Sequence, residues 1–123
     1  MNHIGPAILM VDDHQDESCN LSDILRDRGY RVDTAQEGHA ALRLVERQAY
    51  DLALLDLRMP GMDGLRHCRE VRRLRPVTVA LLITGYPEDA APAKALAAGV
   101  RQILPKPVDV PRVLMRIEEA LTG

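Results

Sequence analysis

The chain has 123 residues, of which 46% are hydrophobic and 28% are charged, and its formal net charge is −2. A chain of this length can bury roughly two-thirds of its surface, so the composition predicts a single globular domain over residues 1–123. The slightly negative charge argues against a nucleic-acid-binding protein. Three Tyr and no Phe or Trp also argue against stacking of aromatic side chains on bases.

The apolar run at residues 6–11 is too short for a membrane span and follows no charged leader, so a cytoplasmic protein without membrane contact is expected.

Short apolar runs alternate along the chain with segments of helical periodicity, a pattern typical of a parallel sheet covered by helices. The apolar residues 7–11 predict a buried strand, and a helix over about 16–28 follows. Residues 31–35 alternate as a half-exposed strand does, and a second helix ends near Gln48. Leu52–Leu55 is apolar throughout, which predicts a third strand buried on both faces.

The second half of the chain continues this alternation after a loop with Pro60, Gly61 and Gly64. Its predicted elements are a third helix to about Leu74, a fourth strand over 77–83, an alanine-rich helix over about 90–98, a fifth strand over 102–104 and a last helix with Pro111 in its first turn. The chain is therefore predicted to form an α/β, doubly wound parallel sheet of five strands with five helices.

Arginines occupy the outward face of the third predicted helix, at Arg66, Arg69, Arg72 and Arg73. We interpret this stripe as a solvated face rather than a nucleic-acid contact, because the net charge is negative and the stripe has no base-reading partner. The histidines His3, His39 and His67 have no partners at metal-ligand spacing and are predicted to lie on the surface.

Polar residues follow the predicted strands at the edge where the carboxyl ends of a parallel sheet bind ligands. They are Asp12 and Asp13 after the first strand, Asp56 after the third, Thr84 after the fourth and Lys106 after the fifth. Three carboxylates in one cleft repel each other unless a divalent cation binds among them, and Mg²⁺ prefers such oxygen ligands. A metal, a hydroxyl and an ammonium suit phosphoryl transfer, with Asp56 as the nucleophile that becomes an aspartyl phosphate.

These residues belong to motifs that together resemble the receiver domain of bacterial two-component response regulators. The motifs are Val11-Asp12-Asp13, the run from Asp56 to Gly64, Ile83-Thr84-Gly85-Tyr86, Ala98-Gly99 and Lys106-Pro107. The resemblance covers nearly the whole chain and implies the flavodoxin-like receiver fold, with strand order 2-1-3-4-5.

The resemblance also implies a role for each matching position. Asp56 would be the phosphoacceptor, and Asp12, Asp13, Asp56 and the backbone carbonyl of Arg58 would bind Mg²⁺. Thr84 and Lys106 would bind the phosphoryl oxygens, and the Lys106–Pro107 peptide bond would be cis. The Arg58 side chain, two positions after Asp56, is predicted to modulate the lifetime of the acyl phosphate.

One position departs from the family pattern. Receivers usually carry Tyr or Phe three positions before the active-site Lys, and Ile103 occupies that position here. We therefore expect the switch that starts at Thr84 to pass through the loop with Tyr86 and the helix that follows it, because Tyr86 is the only aromatic residue close to Thr84 in sequence.

The function that these residues imply is that of a phosphoacceptor signalling switch, not an enzyme acting on a separate substrate. Its partners would be a sensor histidine kinase or phosphotransfer protein and an output domain or effector protein outside this chain. The last two helices and last strand could mediate a homodimer. A phosphatase of the haloacid dehalogenase type is the main alternative, but it needs a second Asp where Arg58 stands.

Two further alternatives agree less well with the residues. A flavodoxin-like nucleotide-binding module needs a glycine- or hydroxyl-rich loop after the first strand, where this chain has an acidic segment over residues 12–17. A degenerate receiver that serves only for protein contacts conflicts with the intact set of site residues.

Overall fold

The computed structural model of the chain describes residues 5–12, 15–56, 58–59, 62–84 and 99–122. Its strands are β1 (Ala7–Val11), β2 (Arg31–Ala35), β3 (Leu52–Asp56), β4 (Arg58–Met59), β5 (Met62–Asp63), β6 (Val79–Thr84) and β7 (Val100–Pro105). Its helices are α1 (Gln15–Asp27), α2 (Gly38–Arg47), α3 (Gly64–Leu74) and α4 (Val110–Thr122). The described residues thus contain four helices, and the alanine-rich helix predicted over about 90–98 lies outside them.

Five of the strands form one parallel sheet in the order β2-β1-β3-β6-β7. This sheet confirms the predicted order 2-1-3-4-5, because β6 and β7 are the fourth and fifth predicted strands. The short strands β4 and β5 form a separate antiparallel ribbon, in which Arg58 pairs with Asp63 and Met59 with Met62. The segment predicted as a loop therefore contains a small ribbon between β3 and α3.

The fourth strand of the sheet begins two residues later than predicted. Val77 is 85% exposed and lies in a turn, although its side chain is apolar. Thr78 is buried, and its hydroxyl donates a hydrogen bond to the carbonyl of Tyr50 at 2.6 Å. Both residues are β-branched and were therefore predicted to belong to the strand, whereas Val77 lies in a turn and the strand ladder begins at Val79.

The sheet is buried on both faces by helices, as the apolar strands predict. On one face, β-strand side chains pack against α2 and α3, with Ala41, Val45 and Val71 among the fully buried contacts. On the other, they pack against α1 and α4, whose Leu25 and Ile117 are completely buried. These two layers hold the sheet rigidly, which fixes the positions of the residues at its carboxyl edge.

His67 contradicts the prediction that it lies on the surface. The side chain is completely buried in α3, and its Nε2 lies 3.1 Å from the carbonyl oxygen of Gly38. Its Nδ1 has no hydrogen-bond partner in the part of the chain that the structure describes. Burial lowers the pKa of His67 below its usual value, because the protein interior disfavours the charged imidazolium.

Arg72 also departs from the predicted solvated face. Its side chain is half-buried, and its Nη1 donates a hydrogen bond to the carbonyl of Thr78 at 2.6 Å. Arg66, Arg69 and Arg73 are exposed, as expected for the outward face of α3.

No helix within the described ranges is long and apolar enough to cross a membrane.

Candidate functional site

The candidate site lies at the carboxyl edge of the sheet, where β1, β3, β6 and β7 end next to each other. Asp56 is the last residue of β3 and pairs with Ile83 of β6. Thr84 is the last residue of β6 and pairs with Pro105 of β7, directly before Lys106. The parallel register therefore brings together residues far apart in the sequence, such as Asp56 and Lys106, which are 50 positions apart.

Lys106 connects the strands at this edge. Its backbone N–H donates to the carbonyl of Thr84 at 2.8 Å, which extends the pairing of β6 and β7 by one residue. Its ammonium donates to Oδ2 of Asp56 at 2.9 Å and lies 4.0 Å from Oδ2 of Asp12. The peptide bond from Lys106 to Pro107 is cis.

The two described carboxylates are shielded from water to different degrees. The Asp56 side chain is 5% exposed, while those of Asp12 and Lys106 are 16% and 19% exposed. Burial of a carboxylate is unfavourable unless a cation or hydrogen-bond donors compensate it. The ammonium of Lys106 supplies such compensation, so the described part of the site combines two carboxylates and one ammonium in a partly dry environment.

Thr84 is 1% exposed at the end of β6, so its hydroxyl belongs to the interior edge of the site rather than to the solvent. The backbone N–H of Asp12 donates to the carbonyl of Ala35 at 3.0 Å, which continues the pairing of β1 and β2 beyond the last residue of β1. The hydrogen bonds between neighbouring strands thus fix the backbone positions from which these polar side chains extend.

Several predicted site residues lie wholly or partly outside the described part of the chain. Asp13 and Tyr86 are outside it. Arg58 is described only as a backbone residue of β4, directly after the β3 edge. Ile103 lies in β7 opposite Leu82 and packs half-buried against the core on the α2 and α3 side.

The described residues contain no group of three or more His, Cys, Asp or Glu side chains arranged to hold a metal. They do contribute two adjacent carboxylates, those of Asp12 and Asp56, which both approach Lys106. Carboxylate oxygens are the ligand type that Mg²⁺ prefers, and its remaining ligands are commonly water and phosphate. The described oxygen donors therefore fit a hard divalent cation.

The position of His67 in the core is a feature that sequence reasoning missed. A signal for it was present, because His67 precedes Val71 by four residues and Leu74 by seven, which places it on the inward stripe of α3. The polar character of histidine outweighed this spacing in the prediction.

The sequence matches the family model of the response regulator receiver domain over residues 8–118. The chain belongs to this family.

Among curated relatives, a response regulator receiver protein of Anaeromyxobacter sp. (strain Fw109-5) is 43% identical over 106 residues, which cover 86% of this chain and 44% of that protein. The transcriptional regulatory protein ZraR of Escherichia coli (strain K12) is 36% identical over 98% of this chain and 27% of that protein. The receiver domain thus spans less than half the length of these two relatives.

Solved receiver structures share the fold. A CheY-like receiver domain protein from Methanospirillum hungatei JF-1 superposes with a TM-score of 0.89 at 31% identity, covering 95% of this chain and 94% of that one. The response regulator TrrA from Thermotoga maritima, solved with Mg²⁺-BeF, has a TM-score of 0.85 at 28% identity and covers 95% of this chain and 100% of that one. The five-stranded parallel sheet of the receiver fold and the family expected from the sequence are therefore confirmed, and the chain is a signalling receiver domain.

Proposed function

We propose that this receiver domain accepts a phosphoryl group on Asp56 from the phosphohistidine of a sensor kinase or phosphotransfer protein. The single observation that carries the proposal is the buried Asp56 carboxylate at the sheet edge, with the Lys106 ammonium 2.9 Å from its Oδ2. A carboxylate in this position is shielded from bulk water, and the neighbouring ammonium can stabilise negative charge that develops on the oxygens of a transferred phosphoryl group.

The transfer exchanges one bond to phosphorus for another. A carboxylate oxygen of Asp56 attacks the phosphorus atom as the bond from phosphorus to the donor histidine nitrogen breaks, and the product is an aspartyl phosphate. The electron pair of the broken bond returns to the histidine ring. Lys106 is already within hydrogen-bond distance of Asp56, so its ammonium can bind an oxygen of the incoming group, and the Thr84 hydroxyl is proposed to bind another.

A divalent cation completes the proposed site. Asp12 and Asp56 would hold it with Asp13 and the backbone carbonyl of Arg58, and when bound it would neutralise charge on the phosphoryl oxygens. Two relatives support this assignment: TrrA was solved with Mg²⁺-BeF, and a response regulator from Burkholderia pseudomallei was solved with a phosphorylated aspartic acid and a calcium ion. The latter superposes with a TM-score of 0.83 at 27% identity and covers 97% of this chain.

The switch is proposed to start at Thr84 and to pass through Tyr86 and the segment after it. Ile103 supports this route, because it is a half-buried aliphatic residue within the core contacts of β7 and has no aromatic ring to turn outward. Backbone amide shifts measured by NMR before and after phosphorylation should change in the Tyr86 segment. Shifts that change elsewhere and spare this segment would contradict the route.

The output of the switch is proposed to reside in a further domain or a separate effector protein. The relatives ZraR and GlrR of E. coli are named transcriptional regulatory proteins, and the matched region is 27% of each. The chain would act in the cytoplasm, where such regulators work, without contacting nucleic acid or membrane through this domain. A homodimer is proposed to form through β7, α4 and the alanine-rich helix predicted from the sequence over about 90–98.

Incubation with acetyl phosphate and Mg²⁺ tests the proposed chemistry. Intact-mass spectrometry should show a gain of one phosphoryl group that alkali removes, and the Asp56→Asn variant should show none. Asp27→Asn is the matched control, because Asp27 is an exposed carboxylate at the end of α1, and it should be phosphorylated like the wild type. A gain in Asp56→Asn, or no gain in the wild type, would refute the assignment.

The proposed role of the Arg58 side chain has its own measurement. A cation beside the acyl phosphate can orient or exclude the attacking water, so Arg58→Ala should change the rate at which the phosphorylated protein loses its phosphoryl group. An unchanged rate would refute the proposed role of the Arg58 side chain.

A further inference from the structure

The two helical layers of the domain carry opposite charge. Helices α2 and α3 cover one face of the sheet and contain six arginines and two glutamates. Helices α1 and α4 cover the other face and contain six acidic residues and three arginines. The charges that sum to −2 are therefore unevenly distributed, with a strongly basic face on one side of the domain and an excess of acidic residues elsewhere.

The basic face contains more arginines than its two glutamates can neutralise. We define the α2/α3 arginine surface as Arg43 and Arg47 of α2 with Arg66 and Arg69 of α3, all of which are exposed. Within the described residues, none of these four side chains makes a salt bridge or a hydrogen bond. The ion pair described on this face joins Arg73 to Glu70 at 3.2 Å, so Glu70 is already engaged.

The arrangement of these charges opposes the stability of the helices that carry them. Arg43 and Arg47 are spaced i, i+4, while Arg66 and Arg69 are spaced i, i+3, and like charges at these spacings repel each other. Arg66 also lies in the first turn of α3, where the helix dipole favours an acidic residue. An anionic partner would relieve both effects, because it would neutralise charges that destabilise the free helices.

Another arginine, Arg75, connects the two helices of this face. Arg75, just after α3, donates from Nε to the carbonyl of Val45 at 2.9 Å and from Nη2 to the carbonyl of Glu46 at 3.3 Å. These bonds join the ends of α2 and α3. The exposed guanidinium groups therefore extend from two helices whose relative position is set before any partner binds, which lowers the entropic cost of binding.

From this geometry we infer that the α2/α3 arginine surface binds an acidic segment of a partner protein. The exposed arginines of α3 run from Arg66 through Arg69 to Arg73, which already pairs with Glu70, and they span about 10 Å along the helix. A partner helix with carboxylates at i, i+4 and i+7 on one face matches this length, and guanidinium groups bind carboxylates through paired hydrogen bonds. Nucleic acid fits less well, because neither helix has an aromatic residue for base stacking and the rest of the domain is acidic.

This inference goes beyond phosphoryl transfer and does not depend on it. The test uses fluorescence anisotropy with a labelled helical peptide of about 20 residues, long enough to form a helix, that has Glu at i, i+4 and i+7. The unphosphorylated domain should bind this peptide and not its Gln counterpart. Binding should weaken as ionic strength rises, since exposed charges are screened.

Variants locate the binding surface. Arg66→Gln with Arg69→Gln should weaken binding roughly 2- to 30-fold, the range expected for the loss of two exposed ion pairs. Arg43→Gln with Arg47→Gln provides an independent second variant on α2. The matched control is Arg28→Gln with Arg112→Gln, which removes two exposed arginines outside this face and should leave the affinity unchanged.

A thermal melt separates binding from folding, because removal of repelling arginines should leave the melting temperature equal or higher. Equal weakening in the control pair would overturn the inference, since binding would then reflect total charge. No binding of the peptide at low salt would overturn it as well. Tighter binding of a DNA duplex than of the Glu peptide would replace the acidic protein segment with nucleic acid as the partner.

Discussion

Lys106→Met tests whether the Lys106 ammonium stabilises the fold by pairing with the buried carboxylate of Asp56. Methionine preserves much of the aliphatic side chain but removes the ammonium that lies 2.9 Å from Asp56 and 4.0 Å from Asp12. At an effective dielectric constant of about 20, the attraction across 2.9 Å is about 6 kcal/mol before the cost of desolvation. Breaking a buried ion pair by removing one partner typically costs about 3–5 kcal/mol.

Protonation limits how large this loss can become. An aspartate with an ordinary pKa of about 3.9 can be protonated at pH 7 for about 4 kcal/mol, so a carboxylate left without its cation cannot destabilise the fold by more than this. We therefore expect Lys106→Met to lower the free energy of unfolding by about 3–4 kcal/mol at pH 7.

Urea unfolding of the wild type and variant at pH 7 with EDTA, followed by circular dichroism, measures this loss. The same substitution in an Asp56→Asn background is the control, and its cost should be smaller because the buried carboxylate is gone. A loss below about 1 kcal/mol at pH 7, the value of an exposed pair, would refute the reasoning.

Two further predictions concern residues outside this site. Burial lowers the pKa of His67, so the folded state loses stability as pH falls below about 6.5, where the unfolded histidine takes up a proton. His67→Gln should therefore flatten the profile of unfolding free energy between pH 7 and 5. The same substitution at the exposed His39 should leave that profile unchanged. Gly29 and Gly99 both have positive φ, at 95° and 89°, so an alanine at either should cost about 1–2 kcal/mol. Gly99→Ala should lose more stability than Gly29→Ala in thermal or urea unfolding. The added Cβ at Gly99 would lie 2.9 Å from Nε of Arg72, whereas a Cβ at Gly29 would meet nothing within 4 Å. Equal losses in the two variants would contradict this reasoning.

The sequence by itself determined the alternation of strands and helices and the residues at the carboxyl edge. Apolar periodicity is local, so Leu52–Asp56 and Arg31–Ala35 formed strands close to where the pattern predicted them. In a parallel sheet the carboxyl ends of strands share one edge, which is why Asp56 and Lys106 could be grouped without coordinates. The motif around these residues was sufficient for the family.

Tertiary structure decided which side chains the neighbours would bury or hold. His67 is polar, yet the contact of α3 with α2 buries it. Val77 is apolar, yet a turn leaves it exposed. The sequence placed Asp56 and Lys106 at one edge, but only the parallel register of three strands sets the 2.9 Å between their side chains. Such distances join residues far apart in the chain, and local propensity carries no information about them.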